Sequence, residues 1–133
     1  MKKKYIGTKQ VTAETCSLGD FIQLTGRNPY ANSKDMHGNN EPGYLVEYED
    51  GYKSWSPKDV FEKAYKCSET FLDRLRIELN ELLDKQDKLR AFFGTDNYKS
   101  LPDLDRALLE EQLCIMLKYS SILSKRIAAV ESK

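Results

Sequence analysis

Two separate apolar stripes in the last part of the chain constrain its fold more than any other feature. Leu109, Leu113, Met116, Ser120, Leu123, Ile127 and Val130 follow a 4-3-4-3-4-3 rhythm. That is the heptad seam of a helix lying along a partner helix. Leu104, Leu108, Ile115, Tyr119 and Ile122 form a second stripe to one side. A helix apolar on more than one side is buried on more than one side. The spacing predicts a helix from Asp103 to about Val130.

A partner for the first stripe lies just upstream. Residues 68 to about 92 read as another long helix, with Leu75, Leu79, Leu82, Gln86, Leu89 and Phe93 stepping by four and three, and with Leu72 and Leu83 widening the stripe. Glu81–Lys85 and Asp84–Lys88 are favourable i,i+4 pairs on its wet face. The run from Phe93 to Pro102 breaks the helix and turns the chain. The two helices therefore form a hairpin, across which Gln86 and Gln112 are expected to hydrogen-bond. Cys114, in the run Leu113 to Leu117, reads as a small hydrophobe. The second stripe needs another cover. A second subunit is the expected one, and the N-terminal region is the alternative.

The N-terminal half differs in character. Residues 1–66 hold six of the seven glycines and three of the four prolines. The fold class expected is α+β: a small antiparallel sheet with short helices over residues 1–66, then the helical hairpin over 67–133. Tyr5 to Val11 reads as a first strand. Ser17 caps a short helix with Asp20 at the capping-box position, Gly26 ends it, and Leu18, Phe21, Ile22 and Leu24 form its buried face. Residues 27–43 are a long polar loop, of the kind that is functional or mobile. Tyr44, Val46 and Tyr48 alternate with Leu45, Glu47 and Glu49 up to Asp50-Gly51, a preferred two-residue hairpin turn. The return strand carries Tyr52 to Trp55. Ser56, Pro57 and Asp59 then suit the N-cap, N1 and N3 positions of a helix whose apolar face is Val60, Phe61, Ala64 and Tyr65.

Composition excludes several classes of function. Lys+Arg and Asp+Glu are both 21, so no net charge draws the chain to DNA, RNA or a membrane. One small phosphorylated ligand needs only a few placed cations and remains compatible. No apolar run approaches a membrane span, and Lys2-Lys3-Lys4 is followed by no signal-peptide core, so the cytosol is the expected compartment. Cys16, Cys67 and Cys114 are far apart without a CxxC pair, which suggests neither a disulfide framework nor a metal site. The lone histidine, His37, sits in a polar loop and reads as inert. No nucleophile–base signature and no glycine-rich phosphate loop is present. The chain is expected to be a binding protein with no catalytic residue and no cofactor.

Two clusters suit a ligand. Arg27-Asn28-Pro29-Tyr30 puts a forked cation, an amide, a rigid bend and an aromatic within one turn. Arginine grips phosphate or carboxylate with two bonds, and tyrosine offers a stacking face. The alternative is that Arg27 pairs with a local carboxylate and Tyr30 packs into the core. The hairpin tip, Arg90 to Arg106, gathers Phe92, Phe93, Asp96, Asn97, Tyr98, Asp103 and Arg106. Such groups read a base, a ribose and a phosphate, although aromatics at a helix end also cap cores. Arg126 suits the C-terminal dipole of its helix, or a neighbouring subunit's pocket.

Tyr5 to Lys9, Arg27 to Tyr30, Gly43 to Pro57 and Val60-Phe61 resemble a small domain of phage proteins. Leu89, Phe92-Phe93, Leu101-Pro102, Leu108-Leu109, Gln112, Met116, Tyr119, Leu123 and Arg126-Ile127 resemble the helical hairpin shared by Thoeris anti-defence and anti-CBASS sponge proteins. In combination they resemble the first type of Thoeris anti-defence protein over nearly the whole chain. That resemblance implies a phage protein, acting in the cytoplasm of the infected bacterium, that binds a cyclic ADP-ribose isomer intact and withholds it from an immune effector. Related sponges also trap cyclic di- and trinucleotides at separate sites and assemble as homodimers or hexamers. The resemblance places the pyrophosphate on Arg27 with Arg106 or Arg126, the adenine on Phe92 or Phe93, and ribose hydroxyls on Asp96, Asn97 or Asp103. From another class, the alternative is an adaptor whose hairpin docks a host or virion protein.

Overall fold

The computed structural model describes residues 1–34 and 36–133; Asp35, within the expected loop, lies outside the described residues. The fold is α+β, and the chain divides into two compact units, Met1–Lys66 and Cys67–Lys133.

The first unit is a three-stranded antiparallel sheet, β1 (Thr12–Thr15), β2 (Gly43–Glu47) and β3 (Lys53–Pro57), in that spatial order. It carries two short helices, α1 (Leu18–Thr25) and α2 (Lys58–Ala64). Leu45 pairs with Trp55 across the two strands, so both point to one face. There they meet Leu18 and Phe21 of α1, and these four form the buried core. The indole N–H of Trp55 donates to the Cys16 carbonyl at 2.8 Å, anchoring the tryptophan's polar end. Gly43 lies so close to Trp55 that a Cβ there would collide with the indole ring and the Ser56 carbonyl. On the opposite face Tyr44 stacks on Phe61 of α2, and Phe61 on Tyr65.

Local signals explain α1. The Ser17 hydroxyl accepts from the Asp20 N–H, and Gly26 at φ 71° closes the helix. The returning loop takes further first-turn donors: Leu18 N–H donates to the Glu41 carbonyl and Gly19 N–H to that of Asn39.

Several expectations are corrected here. The first strand is Thr12–Thr15, not Tyr5 to Val11. β1 pairs with β2 from Tyr44 to Glu47, where β2 gives way to a turn, so residues before Thr12 pair with no strand among the described residues. Tyr5 and Ile6 are exposed. The β2–β3 turn is offset by one residue. Gly51 N–H donates to the Tyr48 carbonyl, which makes Glu49-Asp50 the central pair and leaves Gly51, at φ 88°, in the left-handed bulge position. α2 likewise starts one residue later than expected, with Pro57 as N-cap and Ser56 in β3. Leu24, Val60 and Ala64 are exposed rather than buried.

The second unit is the hairpin: α3 (Phe71–Phe93), a single turn α4 (Asp96–Lys99) at the tip, and α5 (Asp103–Glu131). Thr70 and Asp73 cap α3 reciprocally, Thr70 accepting from the Asp73 N–H and Asp73 from the Thr70 N–H. Those bonds hold the Asp73 carboxyl below its ordinary range, chiefly through the Thr70 backbone N–H. Leu75, Leu82 and Leu123 form the buried core, flanked by Leu79, Met116, Ile127 and Val130. The expected seam is thus the packed one. At the open end Arg76 pairs with Glu131 at 3.0 Å. Asp84–Lys88 forms at 2.9 Å on the wet face.

Within the seam Gln86 and Ser120 are buried. The expected Gln86–Gln112 bond is absent, because Gln112 is exposed and its amide reaches Met116 Sδ on its own helix. Gln86 Oε1 has no partner among the described residues. Cys114 is exposed rather than packed. The second stripe is exposed along its length. No helix of the described residues is long and apolar enough to cross a membrane.

Candidate ligand-binding site

Arg27 stands just past the left-handed Gly26 that ends α1. Its guanidinium donates to the Lys53 carbonyl at 2.6 Å and to the Tyr52 hydroxyl at 3.2 Å. It also lies over the rings of Tyr52 and Phe21, at 5.2 and 5.7 Å from their centroids. Its partners are thus a carbonyl and aromatic faces, not the local carboxylate weighed from sequence. Two of its five N–H donors engage the β2–β3 turn, so the fork is held in one orientation.

Tyr30 packs against the core, with its ring edge-on to Trp55 at 6.0 Å. One of its faces is covered by the His37 ring, stacked at 3.5 Å. Burial first, and then the Glu41 charge, push its phenol above the ordinary value. His37 is not a free loop side chain. Its Nδ1 meets Glu41 Oε2 at 2.8 Å, so His37, Glu41 and Tyr30 fasten the loop to the core. The sequence offered one cue to this, the i,i+4 spacing of His37 and Glu41.

The hairpin tip assembles differently. Gly94 ends α3, and Thr95 caps α4 by accepting from the Tyr98 N–H. That turn folds Tyr98 back on Phe92 and Phe93, at 6.0 and 4.7 Å between ring centroids. The Tyr98 hydroxyl donates to Glu110 of α5 at 2.7 Å, a bond that raises its pKa. Arg106 pairs with Asp103 one turn away in α5, and its Nε is buried without a partner among the described residues. Asp96 and Asn97 are exposed in the first turn of α4.

Phe92, Phe93, Asp103 and Arg106 are therefore brought to one end of the hairpin, joined by Tyr98 and Glu110. Tyr98 was legible as a tip residue but not as the ring that organises the other two. Glu110 was not legible, since on sequence it is one more charge on a wet face. Arg126 is elsewhere. It lies over Phe71, the first residue of α3, at 5.9 Å. Twenty residues of helix separate it from Arg106, a distance of about 30 Å. Within one chain, Arg106 and Arg126 cannot grip the same phosphate.

Residues 69–129 match the Sequestin family model. The match covers nearly all of the hairpin unit, tip included, and fits a sequestering protein. No curated protein and no solved structure matches the chain.

A shallow groove of about 380 Å³ lies in the first unit, between Gln10, Val11 and Thr12 on one side and Glu47, Glu49 and Gly51 on the other. Its two carboxylates disfavour an anion, and none of the expected site residues lines it. Among the described residues no cluster of His, Cys, Asp or Glu is grouped to hold a metal ion.

Proposed function

We propose that the chain sequesters a cyclic ADP-ribose isomer, intact, as a phage counter to bacterial immune signalling. The observation that carries this reading is the hairpin tip within the Sequestin-matching segment. It combines an aromatic group, Phe92, Phe93 and Tyr98, with Arg106 and with the carboxylates and amide of Asp96, Asn97 and Asp103. Stacking of one base on such rings is worth ~1–3 kcal/mol, and arginine supplies the complement of a phosphate. Sequestration requires affinity for the ground state alone, so it calls for no acid, base or metal.

In this reading Phe92 or Phe93 takes the adenine, Arg106 a phosphate, and Asp96, Asn97 or Asp103 the ribose hydroxyls. Arg27 is a second anion contact, tested separately. A cyclic di- or trinucleotide is the expected second ligand class, bound elsewhere. The protein works in the host cytoplasm as a homodimer or hexamer.

The test is equilibrium dialysis of each cyclic ADP-ribose isomer against the parent protein and against Phe92→Ala, Phe93→Ala and Arg106→Ala. Retention by the parent and loss in Arg106→Ala and in one Phe variant is the expected result. Equal retention by all four proteins removes the tip as the site. The adaptor reading expects no retention by the parent and capture of a protein through the exposed stripe of α5.

A further inference from the structure

Two carboxylates bracket Arg106 on α5 at helical spacing, Asp103 three residues before it and Glu110 four residues after. Side chains three and four apart are neighbours on a helix surface, so either suits a pair with the guanidinium. Among the described residues only Asp103 makes one. The Asp103 side chain is 95 % exposed, and an ion pair so open to water is given up easily to an incoming anion. Glu110 is engaged elsewhere, accepting from the Tyr98 hydroxyl at 2.7 Å. The Arg106 charge acts on that same phenol, which makes the three groups neighbours. Arg106 meanwhile keeps its Nε–H buried with no partner among the described residues. An unpaired buried donor is costly, so a carboxylate set free one turn away is drawn to it.

We propose that the Tyr98 hydroxyl holds Glu110 away from Arg106 and so keeps the arginine open to an anion. The inference rests on the reading of Arg106 as a phosphate contact. Tyr98 is then a positioning residue with two duties. Its ring packs on Phe92 and Phe93, and its hydroxyl diverts the carboxylate. Glu110 released from the phenol competes for the guanidinium with the same two-bond geometry that a phosphate uses. Its charge also opposes that of the phosphate. The diversion matters because the tip is acidic. Residues 96–110 carry Asp96, Asp103, Asp105 and Glu110 against Lys99 and Arg106, so an anion is accepted only where the carboxylates are turned aside.

A rescue experiment in the full chain tests the diversion. Tyr98→Phe keeps the ring and removes only the hydroxyl. It is expected to weaken retention of the cyclic ADP-ribose isomers in dialysis by about three- to tenfold, through the freed carboxylate. Adding Glu110→Gln to Tyr98→Phe removes the competing charge and restores retention to within about twofold of the parent. A hydroxyl that served only packing or touched the ligand itself gives a loss that Glu110→Gln does not restore, and that result overturns the proposal. Equal retention by the parent and Tyr98→Phe overturns it as well. A second measurement needs no ligand. The Arg106 Nε–H resonance, read by nitrogen-15 nuclear magnetic resonance, is expected to shift in Tyr98→Phe as the carboxylate bonds to it, and to return when Glu110→Gln is added. An unchanged resonance in Tyr98→Phe overturns the proposal. If the parent retains no cyclic ADP-ribose isomer, the ligand reading fails by itself, and the resonance still decides whether Tyr98 holds Glu110 from Arg106.

Discussion

Arg27→Ala separates what this side chain does for the fold from what it does for a ligand. The guanidinium ties the end of α1 to the β2–β3 turn through the Lys53 carbonyl and the Tyr52 hydroxyl. A charged donor to a carbonyl contributes roughly 1.5–3 kcal/mol in protected settings, and Arg27 is exposed, so the lower end applies. The ring contacts add about 0.5–1 kcal/mol at an exposed site. The sum is a loss of about 2 kcal/mol from the first unit. In a unit of this size that lowers the melting midpoint by roughly 10 °C. Trp55 is the one tryptophan and is buried in the core of that unit, so its fluorescence follows this transition. Arg27→Lys keeps the charge but loses the fork and falls between parent and alanine. The ligand experiment is then run well below the lowest midpoint. A midpoint for Arg27→Ala within about 1 °C of the parent refutes the strut assignment, since two-state scaling leaves no room for the loss; retention equal to the parent removes Arg27 from the ligand.

Leu123→Ala empties the centre of the hairpin core, where Leu123 is fully buried; a loss of about 2–5 kcal/mol is expected, read by urea denaturation with far-ultraviolet circular dichroism. Thr70→Ala removes the reciprocal cap of α3 and costs about 1 kcal/mol. The Asp73 carboxyl is held low, so its contribution is present above its ordinary value of 3.8 and is lost as pH falls through the folded value; Asp73→Asn flattens that part of the stability profile. Tyr98 is shifted the other way. Its contribution is present below the ordinary value of 10.0 and is lost as pH rises through the folded one, so Tyr98→Phe makes hairpin stability less sensitive to alkali. Gly43→Ala drives a methyl group into Trp55 and the Ser56 carbonyl, and a loss of about 1–3 kcal/mol on the Trp55 transition is expected.

What was legible in the sequence followed from periodicity and caps. The seam of α5, its match to Leu75, Leu82 and Gln86 of α3, the Ser17 cap and Gly26 stop of α1, and the β2–β3 hairpin all carry local patterns that packing reinforces. What was not legible depended on partners distant in sequence. Tyr5 to Val11 has strand-forming residues, but pairing is decided by where β2 ends. The one-residue offset at Asp50-Gly51 arose because a glycine suits both a two-residue turn and a bulge. At the site, the tip residues were visible as a cluster, whereas the Tyr98–Glu110 bond spans two helices and leaves no local mark. Arg27 stood out as a forked cation in a turn, but its hold on Tyr52 and Lys53 arises only when α1 meets the β2–β3 turn.

Retention and release of ligand test the central claim most directly. The purified protein is mixed with cyclic ADP-ribose isomers and with cyclic di- and trinucleotides, freed of unbound ligand by filtration, then heated, and the released molecules are identified by mass. The account predicts that a cyclic ADP-ribose isomer is depleted from solution and recovered intact. Depletion of no ligand contradicts sequestration, and recovery of a cleaved product contradicts a binding protein without catalysis.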